Sequence, residues 1–312
     1  MSYVSEVNAL IRARLEAVPG AIVYGQNIDA GSCLSGLTRG LSAGADGKVL
    51  NTPNAENTLV GAGFGLTLRG RNAIFFMKQH DFLLLALDQV VNTWNVLRLR
   101  PAVASFTIVA IVVDSGFEGP QSCLNNLGDF CSLAHIPGYV ITNRWDAAAI
   151  VDRHLIAPGF RLISVSQRLF SQDMPTTDDT PTSSDDGAFL RYAAGDAATI
   201  VAFNFAFPEA LKLWRALAAK GIRASLFSVP AVLPEGWADV SADATRTGRL
   251  IVLDDSKSVN RASDRLLLEC LKRKPGSLRT ALVRRDFTVA SLHPNADRMP
   301  IDIDAIMSDV GL

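Results

Sequence analysis

Apolar and polar positions along the chain follow an alternating rhythm. Short runs rich in Val, Ile and Phe at residues 21–24, 73–77, 105–113, 139–142 and 160–165 read as strands. Between them, residues 5–17, 57–68, 81–99, 124–135 and 146–155 carry helical spacing. Strand–helix alternation of this kind predicts a mostly parallel sheet with helices on both faces. The run Phe-Thr-Ile-Val-Ala-Ile-Val-Val at 106–113 has no polar alternation beyond Thr107. Such a strand is expected at the centre of a sheet, buried on both sides.

The pattern breaks at residues 171–187, which hold five Asp, two Pro and no basic residue. So little apolar surface cannot offset the entropy of ordering, so this segment is expected to be an exposed linker. Beyond it the rhythm resumes. Residues 199–203, 224–229, 250–253 and 278–283 read as strands, and 207–220 and 262–271 as helices. Gly221 stands in the helix-stop position of the first of these helices. The expected organisation is α/β: two open, mostly parallel-sheet domains, 1–170 and 188–312, joined by the acidic linker 171–187.

Composition narrows the function classes. In 312 residues the hydrophobic share is 48%, the charged share 20% and the net charge -1. That excludes a wholly disordered chain. It also leaves no basic excess to neutralise a phosphate backbone, so nucleic acid is not expected as a partner. No apolar stretch approaches the roughly 20 residues of a membrane span, and no secretory signal is visible at the start. The four cysteines form no C-x-x-C, which fits a reducing, cytoplasmic setting. Gly61-Ala-Gly-Phe-Gly65 has neither the spacing nor the preceding strand of a dinucleotide fingerprint, and its glycines suit close helix packing. The four histidines are scattered, so no metal site is expected from this chain alone.

One stretch, residues 51–92, carries a distinct message. Glu56 follows a turn built on Pro53 and enters a Gly/Ala-rich helix; the strand 73–77 comes next. Gln79-His80-Asp81-Phe82 then opens a long helix containing Ala86, Asp88, Gln89 and Asn92. This order resembles the pyrimidine-binding domain of thiamine diphosphate enzymes in the transketolase superfamily. It is most like the beta subunits of the decarboxylating component of 2-oxo acid dehydrogenases. Those show D-T-P-I-S-E, a G-x-A-x-G helix, an apolar strand and F-x-x-x-A-x-D-Q-x-x-N. Gly25-Gln26-Asn27, the segment Ser35 to Leu41, Gly116 to Pro120 and Ile136-Pro137-Gly138-Tyr139 continue the likeness. In the second domain, the strand from Thr199, Gly221-Ile222, Leu233-Pro234 and the stretch Gly248 to Asp254 look like the transketolase C-terminal domain.

The resemblance implies a role for Glu56. Thiamine diphosphate becomes a nucleophile when thiazolium C2 loses a proton to the cofactor's own 4'-amino group. A carboxyl hydrogen-bonded to ring N1' drives the tautomer shift that makes this feasible, and the protein supplies placement and electrostatics. By this match Glu56 takes that role, Phe82 stacks on the aminopyrimidine and Gln79 lies near it.

The family's diphosphate and Mg²⁺ site, a G-D-G segment followed by a later Asn, has no counterpart here. Gly44-Ala-Asp-Gly47 is misordered and Gly195-Asp196-Ala incomplete. The chain therefore looks like half an enzyme. An alpha-type subunit is expected to hold the diphosphate and Mg²⁺, in an α2β2 assembly.

The family also places a histidine in the loop helix after the G-x-x-G-P region. Counting back from Pro137 puts that position near Asn125, in Gln121-Ser122-Cys123-Leu124-Asn125-Asn126. An amide cannot shuttle a proton at neutral pH. His80 is therefore the candidate to take over, with His80, Gln121 and Asn125 as substrate-side residues. The resulting expectation is transfer of a two-carbon acyl or ketol unit from a 2-oxo acid or ketose to an acceptor. Two alternatives are an ordinary beta subunit of a 2-oxo acid dehydrogenase and a non-catalytic scaffold subunit of the same fold.

Overall fold

The computed structural model describes the chain except for residues 117, 119–123, 178–179, 185–186, 234–235, 274–275 and 286–297. Helix α1 (Tyr3–Ala17) leads to β1 (Ile22–Gly25), β2 (Lys48–Asn51), α2 (Glu56–Leu68) and β3 (Ala73–Met77). A 3-10 turn over His80–Ala86, a π turn over Gln89–Thr93 and the short α3 (Trp94–Leu97) follow. Then come β4 (Ser105–Val112), α4 (Leu127–Ala134), β5 (Gly138–Ile141), α5 (Arg144–His154) and β6 (Gly159–Ser166). The second half contains β7 (Thr182–Ser183), β8 (Leu190–Ala193), β9 (Ala198–Phe203), α6 (Phe207–Ala219), β10 (Ala224–Val229) and β11 (Ala231–Leu233). It ends with α7 (Ala238–Thr247), β12 (Arg249–Asp254), α8 (Ala262–Arg273), β13 (Arg279–Arg284) and α9 (Ile303–Val310).

Two sheets result, as expected. The first runs β11-β5-β6-β4-β3-β1-β2 and is parallel except for β11. The second runs β13-β12-β9-β10-β8-β7, with β13 to β10 parallel and β8 and β7 antiparallel at the edge. β4 occupies the middle of its sheet between β6 and β3, and all eight of its residues are buried. An uninterrupted apolar strand has no face to show to water.

Three expectations are corrected. The helix expected over 81–99 is instead the 3-10, π and α succession. His80, Leu83 and Ala86 are buried and recur every three residues, the 3-10 repeat; the π turn then brings Val90 inward. The acidic segment is not free at its start. Tyr3 donates to the Gln172 carbonyl at 2.8 Å, Arg144 donates to that of Pro175 at 3.0 Å, and Met174 is buried. Nor does a cut at 171–187 separate the sheets, because β11, from beyond it, pairs antiparallel with β5. The main core accordingly runs across both halves, with Val201, Phe203, Phe227 and Trp237 packed into the same cluster as Phe76, Phe106 and Phe160.

Among the described residues, no helix is long and apolar enough to cross a membrane.

Candidate active site

Strands β1, β2, β3, β4 and β6 are parallel, so their carboxyl ends share one edge of the first sheet. Open parallel α/β sheets bind ligands at that edge, where loops and helix starts diverge. The chain leaves β2 through the Pro53 turn and re-enters helix at Glu56, the first residue of α2. An acid in a first helical turn is favoured by the helix dipole. Here the acid is also buried, at 8% exposure, and among the described residues its carboxyl has no hydrogen-bond or ion-pair partner. A carboxyl on a largely buried side chain that is left without a protein donor is free to accept from a ligand.

α2 reaches this position because it lies tightly on the sheet. A Cβ on Gly63 would stand 2.3 Å from Phe106 Cζ and 2.6 Å from the Tyr24 hydroxyl. The Tyr24 hydroxyl donates to the Leu59 carbonyl at 2.8 Å, pinning the first turns of α2 to β1. Of the glycines in the 61–65 run, Gly63 serves this packing, whereas a Cβ on Gly65 would meet nothing within 4 Å.

Beyond β3 come four candidate residues with different fates. Gln79 is buried and lines a cavity at the carboxyl edge. Phe82 is half-buried against the core. His80, expected to take over proton transfer, is fully buried. Its Nε2 lies 3.3 Å from Asn126 Oδ1, its Nδ1 3.5 Å from Ser164 Oγ, and its ring meets Phe130 edge-on at 5.3 Å. Burial pushes its pKa down to about 4, with the Asn126 contact opposing. Burial at this depth favours the neutral imidazole.

Asp81, beside it, is 1% exposed, and neither carboxylate oxygen makes a hydrogen bond to a described residue. Burial pushes its pKa up to about 7. The N–H groups of Asp81 and Leu124, which fall short of hydrogen-bond geometry, and the Lys257 charge offset only part of that.

Asn125 is likewise turned inward. Its amide donates to the Asp255 carbonyl at 2.9 Å and to the Asp255 carboxylate at 3.0 Å. Gln121 lies outside the described residues. Asp255 anchors a buried ionic chain: Arg168 contacts Asp255 at 2.5 Å and Asp114 at 3.1 Å, and Arg285 stands 3.7 Å from Asp255. Burial opposes the Asp255 charge, but Arg168 and Arg285 outweigh it and hold the carboxyl below its ordinary range. The carboxyl edges of the two sheets are thereby tied together.

The cavity lined by Gln79 has a volume of about 140 Å³ and lies between the loop after β1 and the ends of β3, β4 and β6. Asn27, Ser35, Lys78, Glu118 and Gln167 give it a polar wall, and Ile111, Val113 and Phe170 an apolar one. The β1 loop is strained there: Cys33, Leu34 and Ser35 have φ of 49°, 50° and 56° in succession. Each non-glycine residue so placed costs on the order of 1 kcal/mol or more. Hydrogen bonds hold the turn, from Gly36 N–H to the Ser32 and Cys33 carbonyls and from the Asn8 amide to the Leu37 carbonyl. A larger cavity, about 240 Å³, opens at the opposite edge among Phe64, Trp94, Phe106 and Phe160. It is aromatic, and lies at the amino ends of β4 and β6, away from the edge where such sheets bind ligands.

The chain as a whole matches known proteins. A solved structure described as split gene transketolase, inactive beta4 tetramer, superposes with a TM-score of 0.71 and 16% identity, covering 99% of this chain and 93% of that one. This is the transketolase-type fold. In sequence, the chain is 23% identical over 263 residues to pyruvate dehydrogenase E1 component subunit beta-1, mitochondrial, of Oryza sativa subsp. japonica, covering 80% of this chain and 68% of that protein. It is 29% identical over 145 residues to 2-oxoisovalerate dehydrogenase subunit beta 2, mitochondrial, of Arabidopsis thaliana, 44% of this chain and 39% of that protein. These are beta subunits of 2-oxo acid dehydrogenases, the group that residues 51–92 resemble. No protein-family model matches the chain.

Lys78 and Gln167 escaped the sequence reading. Each directly follows a strand, and that position was the available signal. Arg168, Asp114 and Asp255 carried no local signal, because their pairing spans more than fifty positions.

Proposed function

We propose that this chain is the beta-type half of a heteromeric thiamine diphosphate enzyme, with Glu56 as the residue that activates the cofactor. The buried Glu56 carboxyl, without a described protein partner at the ligand-binding edge, carries this reading. Thiamine diphosphate, when bound, supplies an electron sink for breaking and forming bonds next to a carbonyl. Glu56 would hold a hydrogen bond at pyrimidine N1', Phe82 would offer its ring to the pyrimidine face, and Gln79 would border both cofactor and cavity.

The diphosphate end fits this chain less well. Among the described residues, no three His, Cys, Asp or Glu side chains gather to hold a metal ion. An alpha-type subunit carrying a G-D-G…N segment is therefore proposed to grip the diphosphate and Mg²⁺, in an α2β2 complex. The described neighbour is an inactive assembly of beta chains alone, and we extend that behaviour to this chain: by itself it is inactive.

The reaction is transfer of a two-carbon acyl or ketol unit. A second reading, a beta subunit of a 2-oxo acid dehydrogenase, is favoured by the sequence relatives. Proton–deuterium exchange at C2 in the reconstituted complex tests the core of both. Glu56→Gln should abolish exchange while assembly persists; an unchanged rate removes Glu56 from the site. Tight Mg²⁺-dependent cofactor binding by the lone chain would defeat the split-site arrangement.

A further inference from the structure

The aromatic cavity at the amino-terminal edge of the first sheet has no part in the proposed reaction. Its volume is about 240 Å³ and it lies at the start of β4. The edge that carries Glu56 is at the other end of that eight-residue strand, roughly 25 Å away.

Four packed rings line it. Phe64 meets Phe106 edge-on at 5.0 Å and lies parallel to Trp94 at 6.1 Å, and Phe160 stacks on Phe106 at 4.9 Å. Leu68 and Val103, both exposed, add apolar surface to the lining. Exposed apolar surface gathered around a concave site marks a place of binding.

Two donors are left over. Arg100 is the single charged residue of the lining, and among the described residues its guanidinium has no ion pair or hydrogen bond. The buried indole N–H of Trp94 finds no acceptor among the described residues. Thr67 is already engaged, because its hydroxyl donates to the Phe64 carbonyl at 2.8 Å. Among the described residues, no acid lines the cavity.

These features select a ligand. Aromatic walls take a further ring edge-on or offset, and an uncompensated guanidinium takes a carboxylate. A cavity of roughly 150 Å³ holds benzene, so this volume suits about ten heavy atoms. A sugar phosphate would face walls with almost no hydrogen-bonding groups, and a dicarboxylate would leave its second charge against the rings.

We propose that this cavity binds a monocyclic aryl carboxylate, its ring against Phe64, Phe106 and Phe160 and its carboxylate on Arg100. The site stands apart from Glu56, so the proposal is independent of the thiamine diphosphate reading.

The test is a titration of the full-length chain with 3-phenylpropionate, followed by tryptophan fluorescence and by ligand-detected NMR. A saturable fluorescence change is expected, and it should be lost in Trp94→Phe, which leaves the other three of the chain's four tryptophans in place. By NMR, Arg100→Gln, a change at an exposed side chain, should weaken binding about ten-fold, and Arg100→Lys should retain most of it. 3-Phenylpropanamide should bind more weakly than the acid, and so should octanoate, a linear carboxylate of similar size. No saturable binding, the same fluorescence change in Trp94→Phe, or unchanged affinity in Arg100→Gln overturns the proposal. An amide that binds as tightly as the acid overturns the carboxylate assignment, and octanoate binding at least as tightly as 3-phenylpropionate overturns the aryl one.

Discussion

The Asn125 amide donates to the Asp255 carboxylate at 3.0 Å across 130 positions of sequence. A second bond reaches the Asp255 carbonyl, so this side chain joins the loop before α4 to the end of β12. Asn125→Ala removes both bonds and leaves a buried carboxylate with fewer donors. A loss of about 1–3 kcal/mol is expected in urea denaturation. Asn125→Asp sets a second carboxylate against the first and should cost more. Wild-type midpoints in both variants would show that the contact contributes nothing.

His80 and Asp81 titrate in opposite senses. The His80 pKa falls from 6.5 to about 4 on folding, so its stabilising contribution is present above 6.5 and lost as pH drops towards 4. The Asp81 pKa rises from 3.8 to about 7, so its contribution is present below 3.8 and lost as pH climbs through 7. Between about pH 4 and 6.5 the two slopes cancel. Relative to wild type, Asp81→Asn should gain stability with rising pH by up to about 1.4 kcal/mol per pH unit, and His80→Gln should lose it similarly. Urea denaturation at several pH values measures both; profiles parallel to wild type would contradict the paired effect.

Two glycines of α2 should respond oppositely to alanine. At Gly63 the new Cβ meets Phe106 and Tyr24 inside van der Waals distance, and a loss of about 1–3 kcal/mol or more is expected. At Gly65 nothing lies within 4 Å, and Gly65→Ala should stabilise by about 0.5–1 kcal/mol through helix propensity. Thermal melts of the two variants shifting in the same direction would refute this packing account.

The sheet architecture was legible where the pattern is strong. The run at 106–113 announced a central strand because eight buried positions leave no polar alternation. β2 was not legible: Lys-Val-Leu-Asn sits on an edge and is mostly exposed. α7, with Asp, Ser and Thr through its length, shows too little apolar periodicity to stand out. At the candidate site, residue type pointed to Glu56 but could not report depth. His80 and Asp81 look like ordinary helix-start residues in sequence, yet both are sealed in the core. Asn125 was located by counting, but the direction of its amide depends on Asp255, far away in the chain.

β11 gives the two halves a shared fate. Severing the chain within the acidic segment would strip the first sheet of its outermost strand and bare the hydrogen-bonding flank of β5, a surface prone to sticky strand-to-strand contacts. A fragment ending there is a poor candidate for independent expression, and a loss-of-function truncation downstream would injure the amino-terminal half as well.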